Sequence, residues 1–118
     1  MARRLTDTEL QDFGADRVID YLKKDGHTVL AASRAGVKRV VQVEKDNIRY
    51  LVVINTVTYP DNGDECDLDN LEFFRGRAAV NGMILMYAGV GLVDADTMSG
   101  VITDQSPILV NFKGLKEI

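Results

Sequence analysis

Apolar side chains early in the chain recur at helical spacing: Leu10, Phe13, Val18, Tyr21 and Leu22 line one helical face. The start is marked by Thr6-Asp7-Thr8-Glu9, a capping box in which the Thr6 hydroxyl and the Glu9 carboxylate satisfy each other's backbone N–H groups. Leu5 and Leu10 occupy the two positions of a hydrophobic staple across that cap, and Gly26 suits the left-handed residue that ends a helix. The spacing predicts a helix over 7–25. The period then shortens to two. His27 to Ser33 reads as a strand, Arg34-Ala35-Gly36 as a turn, and Val37 to Glu44 and Ile48 to Tyr59 as a hairpin about Lys45-Asp46-Asn47. In the third strand Tyr50, Val52 and Ile54 take one face and Leu51, Val53 and Asn55 the other. Both faces are apolar near the middle, which predicts a central strand covered on both sides. After a polar loop from Pro60 to Asp67, Asp67 or Asp69 caps a second helix over 68–81, with Leu71, Phe74 and Ala78 inward. Met83 to Val93 is a buried strand, Ile108 to Phe112 a final strand, and a short tail follows. The order α-β-β-β-α-β-β predicts a single α/β domain over 1–118 with a mixed central sheet flanked by helices.

Composition narrows the picture. The 118 residues are 46% hydrophobic, enough for a core without disulfides or metals. The net charge of -4 argues against broad nucleic-acid binding, which needs a basic surface, but leaves room for a local basic patch. Cys66 is the single cysteine, so no internal disulfide forms and a reducing cytoplasm is the expected compartment. Met1-Ala-Arg-Arg leads into polar sequence rather than a signal peptide. No apolar run approaches the ~20 residues of a membrane span.

Several positions resemble a known family. Gly26-His27 closes the first helix, Gly36-Val37 opens the second strand ahead of Lys38, and Leu51-Val52-Val53-Ile54-Asn55 forms the third strand. Gly82-Met83-Ile84-Leu85-Met86 starts the fourth, and Ile108-Leu109-Val110-Asn111-Phe112-Lys113-Gly114-Leu115 closes the chain. In this order the segments resemble the PD-(D/E)xK nucleases of the Mrr-type restriction endonuclease branch. The resemblance implies a restriction-endonuclease-like fold. It also implies that an acid on the second strand, and another two positions before a lysine on the third, would hold a divalent metal whose bound water is activated. Here those positions carry Lys38, Val53 and Asn55. A cation repels Mg²⁺ and valine offers no oxygen, so the implied site is degenerate, with no catalytic residue and no metal.

Other candidates are weaker. Asp61 to Asn70 packs five acids into ten residues, but no glycine follows three alternating ligands and no glutamate ends it as in a calcium loop, and acids before a helix serve its N-terminus anyway. His27 is the lone histidine, which argues against structural zinc. Acidic surroundings oppose Cys66 as a nucleophile, and Gly89 and Gly91 read as close backbone contacts in a strand rather than a phosphate loop. Lys38, Arg39, Arg75 and Arg77, with Arg34 beside them, make the one basic cluster available for an acidic partner or a phosphate. The leading reading is a non-catalytic nuclease-like domain acting by protein association, expected as a homodimer through edges at Met83–Val93 and Ile108–Phe112. The enzyme alternative is a Mg²⁺-dependent nuclease with migrated ligands. It would draw on Glu9, Asp12 or Asp16 with Glu44 and Asp94, and on Lys38 or Lys45 in place of the missing lysine. A third reading, a small-ligand domain, requires a closed apolar pocket near Tyr50 and Tyr87.

Overall fold

Helix α1 begins and ends where its caps place it. The computed structural model describes residues 2–35, 38–61 and 71–118, and in it α1 spans Asp7–Lys24. The Glu9 N–H donates to Thr6 Oγ1 at 3.2 Å, and the Thr6 N–H donates to Glu9 Oε1 at 3.0 Å. Leu5 and Leu10 both pack against the core. Gly26 closes the helix at φ +90, a conformation that costs glycine nothing, and the next N–H, of His27, donates to Leu22 O at 2.9 Å. The buried stripe, however, is Gln11, Gly14, Ala15, Val18 and Leu22. Tyr21, expected inward, is exposed and meets the Phe112 ring edge-on at 5.1 Å, while Leu10 and Phe13 are half-buried. The helix rolls so that its small residues meet the sheet, which brings the two backbones closer than bulky side chains would allow.

Glu9 also chelates the Arg3 guanidinium, at 2.7 and 2.8 Å. That pair, with the Thr6 N–H, holds the Glu9 carboxyl at about 2, below its usual 4.5. A depressed carboxyl stabilises the fold fully above its unfolded pKa and loses that contribution as pH falls through the folded value. The melting-temperature gap between wild type and Glu9→Gln is therefore expected to be full above about pH 4.5 and to close toward pH 2. A gap independent of pH would contradict this.

Six strands form the described sheet: β1 (Thr28–Ala35), β2 (Lys38–Lys45), β3 (Ile48–Thr58), β4 (Ile84–Asp94), β5 (Ile108–Asn111) and β6 (Lys116–Glu117). Helix α2 (Leu71–Val80) lies between β3 and β4 in sequence. The path β1-β2-β3-β4-β5 is antiparallel at every step except β3 to β4, which run parallel from Tyr50↔Ile84 to Thr58↔Leu92. Asp46 and Asn47, both at positive φ, make the two-residue turn between β2 and β3, as a hairpin's twist requires. The strand β3 is central and buried on both faces. On one face Val41, Val43, Val52, Ile54, Ala88, Val90 and Leu92 pack beneath Val18 and Leu22 of α1. On the other, Val40, Leu51, Val53 and Leu85 pack beneath Phe74 and Ala78 of α2. The result is a three-layer α/β domain, each buried aliphatic side chain contributing about 1.5–3 kcal/mol.

Two expectations change here. Met83–Val93 is not an edge strand, because β4 pairs with β3 on one side and, at Met86–Tyr87 and Gly91–Asp94, with β6 and β5 on the other, whereas Ile108–Asn111 does stand at an end of the sheet as β5. The tail also holds a strand: Glu117 and Lys116 pair with Met86 and Tyr87. Two residues carry no alternation by which a sequence could announce them. The proposed start of the second helix at 68, with Asp67 or Asp69 as its cap, lies outside the described residues, as do Cys66, most of the acidic loop and the Gly36-Val37 step.

Candidate functional site

Lys38, Val53 and Asn55 come together on the α2 face of the sheet. Arg39 pairs with Ile54, so one step on, Lys38 and Asn55 both turn to the face opposite that pair. Val53 is buried at 4% exposure, Lys38 is buried, and Asn55 is half-buried. The register sets Val53 beside Tyr87 and Asn55 beside Gly89, and the Asn55 amide donates to Tyr87 Oη at 3.5 Å. Beside Tyr87 and Gly89 a pocket of about 230 Å³ continues to Lys113, Gly114, Leu115 and Lys116. Buried aliphatic, amide and lysine groups at these positions offer donors and a positive charge, but no oxygen ligand set for a hard cation. Tyr87, Lys113 and Lys116 were not singled out by sequence reasoning for this face. The alternation of β4, carried from Leu85 through Tyr87 to Gly89, was the available signal for Tyr87. For Lys116 there was none without β6.

The acids of the enzyme alternative do not gather around one point. Glu44 stands opposite Arg49 at the hairpin end of β2, so from Arg49 to Asn55 the sheet carries it roughly 20 Å from the Lys38–Asn55 level. Asp94 lies two residues beyond the Thr58↔Leu92 pair, at the other end of β4 and on the α1 face. Its carboxylate organises its own loop. Oδ1 accepts from the Asp96 and Thr97 N–H groups at 2.8 and 3.0 Å. The Ser106 hydroxyl first, then the Thr97 N–H, hold its pKa below the usual value. Glu9 is engaged by Arg3 and Thr6 at the start of α1. Lys45 pairs with Asp25 at 3.3 Å, at the hairpin end. Among the described residues, no three His, Cys, Asp or Glu side chains sit closely enough to hold a metal ion.

The expected basic cluster is split. Lys38 and Arg39 are neighbours on a strand and so point to opposite faces. The Arg39 guanidinium, nearly buried, turns under α1 and donates from Nε to Asp12 Oδ1 at 2.9 Å. On the α2 layer, Arg75 is exposed and lies 3.5 Å from Glu72, and Arg77 is half-buried. Tyr50 and Tyr87 are likewise on opposite faces, Tyr50 meeting His27 edge-on at 5.6 Å under α1, so they do not share a ligand pocket. The lone histidine is a packing group: its Nδ1 lies 3.3 Å from Leu22 O and 3.6 Å from Asp25 Oδ2.

A second concavity lies over the other end of the sheet. Because α1 sits mainly over β3, a groove of about 400 Å³ remains between it and the β1–β2 end of the sheet. Asp12, Asp16 and Ile19 line it from the helix, Ala32, Ser33 and Arg34 from β1. Arg34 is largely exposed and reaches Asp12 at 3.8 Å. Among the described residues, Asp16 makes no ion pair. No helix of the described residues is long and apolar enough to cross a membrane.

Compared with known proteins, residues 8–118 match the family DUF8840, described as a domain of unknown function. No curated protein and no solved structure gave a match.

Proposed function

The chain belongs to the DUF8840 family, and from that premise we propose that it is a non-catalytic domain of restriction-endonuclease-like build that acts by protein association. The observation that carries the reading is the face shared by Lys38, Val53 and Asn55. The element order and the helix–sheet–helix layering are those the nuclease resemblance implies. Where that resemblance calls for two metal-binding acids and a lysine, this chain has a cation, a buried aliphatic side chain and an amide that donates to Tyr87. Catalysis of that kind needs oxygen ligands to hold the ion and to lower the pKa of its water. The single cysteine and the acidic balance fit a cytoplasmic protein whose partner is another protein rather than a phosphate backbone. Its partner is a second copy of the chain.

Calorimetric titration with Mg²⁺ and Mn²⁺, on wild type and Glu44→Ala, tests the reading together with a plasmid-cleavage assay. Heats no larger than dilution up to millimolar metal, with the plasmid intact, are expected. Saturable binding at one site that is lost in Glu44→Ala, accompanied by cleavage, would establish the metal-dependent nuclease instead.

A further inference from the structure

We infer that two copies of this chain join through β1, edge to edge and antiparallel, on a twofold axis at Ser33, with Arg34 of each copy reaching Asp16 of the other. The inference rests on the association reading and names the surface that would carry it.

The two edges of the sheet differ. On the far side β4 is covered by two short strands, β5 of four residues and β6 of two, with Pro107 just before β5. On the near side β1 runs eight residues and, among the described residues, pairs only with β2. It carries no proline and no lysine; the guards it does have are the charge of Arg34 and a register shift near its start, so the stretch after that shift is the part open as a template for another strand. The ladder to β2 shifts between Val29 and Ala31, after which Ala31 to Ala35 run in regular register. That regular stretch, Ala-Ala-Ser-Arg-Ala, has the small residues that let a second backbone approach.

A twofold axis at Ser33 sets Ser33 opposite its own copy, Ala32 opposite the second copy's Arg34, and Ala31 opposite its Ala35. Residues opposite one another in an antiparallel pair share a face. Ala32 and Arg34 pair with Val41 and Arg39 and so lie on the α1 face. The incoming guanidinium therefore enters the α1 side beside Ala32. Asp12 and Arg34 meet at the Arg34 level of the groove. Four residues on, at ~1.5 Å each, α1 has advanced about 6 Å, or two strand residues, which brings Asp16 over Ala32. Asp16 is exposed, lines the groove and makes no ion pair among the described residues. The symmetry makes the Arg34–Asp16 contact twice, and the two grooves become one channel roofed by both α1 helices. Charge and register thus agree on a second copy as occupant.

Sedimentation equilibrium and disulfide trapping test this. Wild type is expected to be a dimer at micromolar concentration. Arg34→Glu and Asp16→Arg should each weaken it by about tenfold or more, and the double reversal Arg34→Glu/Asp16→Arg should restore it. In a Cys66→Ser background, Ser33→Cys should form an intermolecular disulfide under mild oxidation, since directly opposed residues fall within disulfide reach, whereas Lys23→Cys should not. A monomeric wild type would overturn the inference. So would a dimer indifferent to either reversal and untrapped by Ser33→Cys, for instance one formed through the exposed Phe73 and Val80 of α2. Neither result touches the metal titration, so failure of this surface and failure of the non-catalytic reading are separately visible.

Discussion

Gly14→Ala is expected to lower stability by about 3 kcal/mol, the upper range for forcing a methyl into a packed interior. At Gly14, α1 packs directly against Thr56 of β3. A β-carbon there would overlap the Thr56 hydroxyl and lie 2.8 Å from Thr56 Cβ. Thr56 lies on the central strand, paired with Val90 of β4, and is buried, so it has little room to move. The helix would have to lift, and lifting it would separate Val18 and Leu22 from Val52 and Ile54. The usual helical preference for alanine over glycine, about 1 kcal/mol, acts in the opposite direction and is outweighed. Urea denaturation measures the loss as a lower midpoint at unchanged slope. The double variant Gly14→Ala/Thr56→Ala should recover part of it, because the hydroxyl and methyl met first are gone. A loss below about 1 kcal/mol would show that the helix yields there and that the close approach is not a constraint.

Gln11→Met should cost about as much, roughly 3 kcal/mol, for a different reason. Gln11 is a buried polar residue on the inner face of α1. Its Nε2 donates to Thr56 O at 2.8 Å and its Oε1 accepts from Thr56 N at 3.2 Å. The described ladder between β2 and β3 ends at Arg39–Ile54, and beyond it the Gln11 amide serves β3 as a further strand would. Methionine matches the side chain in length and volume but makes neither hydrogen bond. Two buried backbone groups would then lose their partners, at ~1–3 kcal/mol each. Faster amide exchange at Thr56 would identify the site of the loss. An unchanged exchange rate with a small change in stability would mean that the ladder does not depend on the clamp.

These two contacts show where sequence reading reaches its end. Helix α1 was legible because its signals are local: the Thr6–Glu9 box, the Leu5–Leu10 staple and Gly26 act within a few residues of one another. The central, doubly covered β3 was legible because an apolar residue at every position of Tyr50 to Ile54 leaves no face for water. The inner face of α1 was misjudged, since by hydrophobicity Tyr21 outranks Gln11 and Gly14. Only the approach of β3 rewards a glycine and an amide there. The candidate site divides in the same way. That Lys38, Val53 and Asn55 include no carboxylate follows from their chemistry alone. That Lys38 and Arg39 serve different faces follows from strand alternation. That Glu44 and Asp94 lie at opposite ends of the sheet depends on register.

By itself, then, the sequence determined the types and order of the elements from α1 to β5, the single α/β domain and the centrality of β3. Each of these depends on periodicity, capping and turn chemistry over a dozen residues or fewer. Tertiary structure decided which strands stand at the ends of the sheet, because edge status is a matter of neighbours far away in the chain: β4 is flanked by β3 and by β5 and β6, while among the described residues β1 pairs only with β2. It also decided the roll of α1 and the opening beside it, since both depend on how closely two backbones approach, a distance set by Gly14 and Thr56 together.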